Sequence, residues 1–146
     1  MAVVSGSLQQ RLRYGAASPI LAGDRVILPC DQDTHSFMIA VNKNTGRVEW
    51  KVDRPEVISG YSSPILQTKN GPLEIIVPES FQLSAYSVET ADRVWYVRGL
   101  ACEMKSIPAT DGKVIYIPPP LRQISPNRLF AAQGYVVSDT KLILSL

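Results

Sequence analysis

The chain has 146 residues, of which 45% are apolar, 8% aromatic and 19% charged. That suffices for one globular core and is too apolar for disorder, while no run approaches the ~20 apolar residues of a membrane-spanning helix. Fifteen Lys plus Arg against thirteen Asp plus Glu leave a net charge of +2 with the signs interspersed, and the densest basic stretch, Arg11 to Arg13, is short, so no nucleic-acid partner is expected.

Residues 1–15 read as an N-terminal segment. Its start, Met1-Ala-Val-Val-Ser-Gly-Ser, lacks a charged region followed by an apolar one. No secretory signal is therefore expected in the chain as written, and the cytoplasm is the default compartment. Eleven Pro and nine Gly argue for short segments joined by turns. Over residues 16–53 the pattern predicts strands at Ser18 to Leu21, Arg25 to Leu28, Phe37 to Val41 and Arg47 to Val52. Turn chemistry separates them at Gly23-Asp24, Asp31 to Thr34 and Asn42-Lys43-Asn44-Thr45-Gly46.

Residues 54–98 repeat this plan. Ser18-Pro19-Ile20-Leu21 reappears as Ser63-Pro64-Ile65-Leu66, 45 positions on, and the only two tryptophans, Trp50 and Trp95, keep the same spacing. A third, irregular copy over 99–146 starts at Ser106-Ile107-Pro108-Ala109 and runs through Val114-Ile115-Tyr116-Ile117. It then meets a Pro-rich break at 118–126, after which Leu129 to Ala132 and Lys141 to Leu146 offer two more strands. The second strand of each copy is apolar throughout, which predicts a sheet covered on both faces. Four short strands per ~45-residue repeat, with both faces buried, match the blades of a β-propeller. The expected fold is all-β, with about three four-stranded antiparallel blades forming an incomplete propeller.

The stretch Ala40-Val41-Asn42-Lys43-Asn44-Thr45-Gly46-Arg47-Val48-Glu49-Trp50 resembles the A-x-[D/N]-x-x-T-G-x-x-x-W signature of pyrroloquinoline-quinone-type propeller repeats. That family includes quinoprotein alcohol dehydrogenases and the outer-membrane β-barrel assembly lipoprotein, and its members are often periplasmic. The repeat signature falls on Ala40, Thr45, Gly46 and Trp50, and again on Ala85, Thr90 and Trp95. Gly46 is expected to turn with positive φ, Ala40 to allow close approach of blades, and Trp50 to pack against the neighbouring blade. The second copy has Ala91 where the turn Gly belongs, which predicts a different or strained turn.

Quinoprotein enzymes of the family use a vicinal Cys-Cys pair, calcium ligands and a catalytic Asp. Here Cys30 and Cys102 lie far apart and read as small apolar side chains, so no enzyme activity and no cofactor are expected. His35, the only histidine, sits in Asp31-Gln-Asp33-Thr-His35, too few ligands for a zinc or calcium site, so no metal is expected.

In an up-and-down blade the second turn and the link to the next blade share one end. That end gathers Asp31, Asp33, His35, Arg54, Glu56 and Tyr61, and from the next copy Glu79, Phe81, Arg98, Glu103 and Lys105. Its longer loops make Asp31, Asp33, His35, Arg54, Tyr61, Glu79, Phe81 and Arg98 the candidate binding residues for a protein or peptide. The expected role is a non-enzymatic binding or scaffolding module. The alternatives are a degenerate small-molecule-binding domain and a structural piece of a larger propeller. Three blades leave end faces open, which predicts self-association to complete or cover them, or a cap from the irregular C-terminal region.

Overall fold

The computed structural model describes residues 17–32, 34–58, 60–68, 71–101, 104–118, 134–138 and 141–145. Among these, every regular element is a strand. Sheet 1 comprises β1 (Ile20–Ala22), β2 (Arg25–Cys30), β3 (Phe37–Asn42) and β4 (Val48–Asp53). Sheet 2 comprises β5 (Ile65–Thr68), β6 (Leu73–Glu79), β7 (Gln82–Ser87) and β8 (Arg93–Arg98). Sheet 3 comprises β9 (Ala109–Thr110), β10 (Val114–Ile117), β11 (Gly134–Ser138) and β12 (Lys141–Ser145). Each sheet is antiparallel with its strands in chain order. The first strand starts at Ile20 rather than Ser18, where its ladder with β2 begins, and the Ser18 N–H donates instead to Ser63 Oγ at 2.8 Å. The third strand of sheet 3 is Gly134–Ser138, rich in β-branched residues; the expected strand at 129–132, the N-terminal segment 1–15 and most of the Pro-rich break lie outside the described residues. No helix among the described residues is long and apolar enough to cross a membrane.

The sheets stack through one recurring row. In sheet 1, Ile20, Ile27, Ala40 and Trp50 lie side by side across the four strands; in sheet 2 the row is Ile65, Ile76, Ala85 and Trp95. The first row packs on Ile75, Val77, Tyr86 and Val88 of the next sheet and its turn. The second packs on Ile115, Ile117 and Val137 of sheet 3. Ala40 and Ala85 are fully buried at the centre of each join, each paired across its sheet with the tryptophan of the row, where a small side chain leaves room for close packing. Trp50 crosses to its neighbour as expected, its indole N–H donating to Val88 O at 3.0 Å. Trp95 packs on the core toward sheet 3 but donates within its own sheet, to Glu74 Oε2 at 3.1 Å.

Prolines fall at matching places. Pro29 and Pro78 each lie two residues past the last residue that the short first strand pairs, Ile27 and Ile76. No ladder bond to that strand is lost, so an inner strand tolerates them.

The turns before the tryptophan strands are built alike. Asn42 Oδ1 accepts the N–H groups of Asn44 and Thr45, and Ser87 Oγ accepts those of Glu89 and Thr90. Thr45 Oγ1 then accepts the Arg47 N–H, and Thr90 Oγ1 that of Asp92. Gly46 sits at φ 69° and Ala91 at φ 63°. The missing glycine therefore does not change the turn: Ala91 takes the same left-handed conformation, at a cost of about 1–2 kcal/mol, because the hydrogen bonds around it dictate the path. A Cβ at Gly46 would meet nothing within 4 Å. Substitutions there report backbone conformation alone. Gly46→Val should cost about 1 kcal/mol more than Gly46→Asn in urea unfolding, since Asn tolerates the left-handed region; equal costs would reject the turn.

Candidate functional site

The end of the sheets that carries the candidate residues holds a buried ion cluster. Arg54 follows β4, Asp31 follows β2 and Glu79 ends β6, so two sheets contribute. All three are buried: Arg54 is 1%, Asp31 3% and Glu79 0% exposed. Arg54 Nη2 donates to Glu79 Oε1 at 2.9 Å and to Asp31 Oδ2 at 3.2 Å, and Arg54 Nη1 lies 3.0 Å from Asp31 Oδ1. The guanidinium lies 5.5 Å from the Tyr86 ring centre. Glu79 is the better served carboxylate. Besides Arg54 it accepts from Tyr86 Oη at 2.7 Å, Gln82 Nε2 at 2.7 Å and Ser84 Oγ at 2.8 Å. Gly60 seats Asp31: a Cβ there would fall 2.2 Å from Asp31 Oδ2.

The cluster holds two carboxylates against one guanidinium. Burial opposes the charge on Arg54, but Glu79 and then Asp31 outweigh it and keep Arg54 charged. Burial pushes the Asp31 carboxyl up to about 6, more than the Arg54 guanidinium pulls it down, and Glu79 adds to the rise. The folded protein thus holds this proton more tightly than the unfolded chain does. The resulting stability is fully present below about pH 4 and is lost as pH rises through about 6, by ~3 kcal/mol for a shift of this size. Asp31→Asn should flatten that slope. Urea unfolding of both proteins across this window checks it; parallel curves would show that Asp31 does not titrate there.

The remaining candidates are dispersed. His35 is exposed, with Nε2 3.3 Å from Asp53 Oδ1. Tyr61 is half-buried, its N–H donating to Met104 O and its ring 5.5 Å from Lys105 Nζ. Arg98 lies on the surface beside the Tyr96 ring. Asp33, Glu103 and Cys102 lie outside the described residues. Cys30 is a buried free thiol whose pKa burial raises. No group of three or more His, Cys, Asp or Glu among the described residues comes together to hold a metal.

Phe81 is the outlier. It is the second residue of the two-residue turn Ser80-Phe81 joining β6 to β7, opposite the Glu79–Gln82 pair. Its φ is 68°, yet it is 55% exposed. Such a turn position normally takes Gly or Asn. The turn is held from outside: the Phe81 N–H donates to Ala101 O, the Gly99 N–H donates to Phe81 O, and Ser80 Oγ bonds Ile58 O. This last bond brings exposed Ile58 beside the turn.

Asp31, Arg54 and Glu79 are therefore brought together, but as an internal tie rather than a solvent-facing surface. That corrects their expected place on an exposed loop end. Gln82, Ser84, Tyr86 and Gly60 complete the tie, and sequence reasoning missed them. Gln82, Ser84 and Tyr86 alternate with Leu83 and Ala85, the pattern of a half-solvated strand, which the neighbouring sheet here covers. No protein-family model matches the chain, and no curated protein matches it.

Proposed function

We propose that this chain is a pyrroloquinoline-quinone-type β-propeller repeat segment that serves as a non-enzymatic binding or scaffolding module for a protein or peptide. Support for the family comes from the paired signatures, with matching turns at Asn42 to Arg47 and Ser87 to Asp92, and from three four-stranded sheets stacked through like rows. Support for binding comes from one observation, the exposed Phe81 side chain on a left-handed turn. A bulky residue kept in a strained conformation without being buried gains nothing for folding, which points to a role at the surface. Ile58 extends the apolar spot, and Tyr61 and Lys105 lie on loops at the same strand ends. An extended or loop segment with an aromatic or aliphatic anchor fits such a surface.

Selection from a random peptide library on the wild-type protein tests the reading. Enriched peptides should bind with apolar anchors, and Phe81→Gly should weaken their binding by about tenfold or more. No enrichment, or peptides indifferent to Phe81, would overturn it.

A further inference from the structure

Among the described residues, no sheet covers the outer face of sheet 1 or the outer face of sheet 3. The row Ile27–Ala40 of sheet 1 corresponds in register to Ile76–Ala85 of sheet 2, so Val26–Val41 corresponds to Ile75–Tyr86 and Leu28–Ile39 to Val77–Ser84. In sheet 2, Ile75, Val77, Ser84 and Tyr86 are buried because sheet 1 covers them. In sheet 1 the same positions carry Val26, Leu28, Ile39 and Val41, all apolar and all only half-buried. Leu21, paired to Val26 on the same face, is 56% exposed. Phe37, paired to Asp53, extends the face toward the loop end, with Lys51 Nζ 4.4 Å from its ring centre.

Sheet 3 offers the opposite kind of face. Ile115 and Ile117 point toward sheet 2, as Ile75 and Val77 point toward sheet 1. Tyr116 between them therefore lies on the other side, the side that sheets 1 and 2 use to cover a neighbour, and it is 45% exposed. Two joins already unite a face of the Ile27 or Ile76 kind with a face of the Ile75 or Ile115 kind. Among the described residues, a face of each kind is left without such a join, the Val26 face of sheet 1 and the Tyr116 face of sheet 3.

We propose that a second copy of this chain makes that join, with the Tyr116 face of sheet 3 in one copy covering the Val26–Leu28–Ile39–Val41 face of sheet 1 in the other. The pairing is head-to-tail. It closes on two copies if the rotation allows and otherwise runs on as an open array. The charged residues on this face of sheet 1, Lys51 and Asp53, lie on the edge strand β4 opposite Ile39 and Phe37, which leaves Val26, Leu28, Ile39 and Val41 as the apolar centre that a protein–protein interface requires. The surface lies on the sheet faces and not at the Phe81 turn, so the proposal stands or falls separately from peptide binding.

Light scattering on the purified chain at micromolar concentration is the test. The mass should be at least twice that of one chain. Ile39→Lys and Tyr116→Lys should each return it to one chain, weakening association by about a hundredfold or more while the strand circular dichroism is kept. Leu21→Lys, at a more exposed position of the same face, replaces Ile39→Lys should that variant not fold. A wild-type mass of one chain would overturn the proposal. So would association that survives both the sheet 1 and the sheet 3 substitutions. Loss with the sheet 1 substitution alone would show two sheet 1 faces meeting each other and would equally overturn it.

Discussion

Arg54→Leu is expected to lose about 3–5 kcal/mol of unfolding free energy at neutral pH, the largest single-residue effect in the chain. The substitution strands two buried carboxylates. Glu79 keeps its bonds from Tyr86, Gln82 and Ser84, but among the described residues the side-chain hydrogen bonds to Asp31 come from Arg54 alone. Asp31 then has to give up its charge or draw in water. The penalty should therefore shrink at acid pH, where Asp31 is already protonated, and urea unfolding at acid and neutral pH reads this directly. Lysine is a poor rescue, since a single ammonium cannot reproduce contacts spread over two guanidinium nitrogens. A loss below about 1 kcal/mol, equal at both pH values, would mean that the cluster does not tie the sheets.

The second large effect is expected at Trp50. Trp50→Ala removes a half-buried ring that packs over the join between sheets 1 and 2, together with the bond to Val88 O. Because the ring is only partly buried, the loss should fall near the lower end for such truncations, about 3 kcal/mol. Trp50→Phe keeps most of the packing and loses the bond, about 1 kcal/mol. Trp95→Ala should disturb the join to sheet 3 instead. If Trp50→Ala unfolds at the wild-type urea midpoint, the recurring row does not hold the sheets together.

Much of the architecture is legible in the residues because its signals are local. Ser-Pro-Ile-Leu and the tryptophans recur at one spacing, the apolar second strands call for cover on both faces, and the Thr45-Gly46 turn has its own hydrogen-bond chemistry. Ala91 is harder to read. Its left-handed turn follows from Ser87 and Thr90 bonding the backbone, which a missing glycine obscures. The candidate site is legible only as a location. Strand polarity puts Asp31, Arg54, Glu79 and Phe81 at one end, but charge and loop placement suggest solvent where the structure has an internal tie. Burial there depends on how two sheets meet, a long-range fact that no window around Gln82, Ser84 or Tyr86 contains. Phe81 reads as one aromatic among loop residues until its backbone conformation and exposure are seen together.

On the proposed function the labour at the loop end is divided: Arg54 and its buried partners tie two sheets together, and the exposed Phe81 turn is the proposed contact for a partner. The direct measurement is the dissociation constant of a selected peptide for Phe81→Gly, taken alongside the unfolding curve of the same variant. Binding should weaken about tenfold or more while stability holds or rises, because glycine relieves about 1–2 kcal/mol of left-handed strain against a smaller loss of chain entropy. Unchanged binding, or binding lost only in step with stability, would contradict the account.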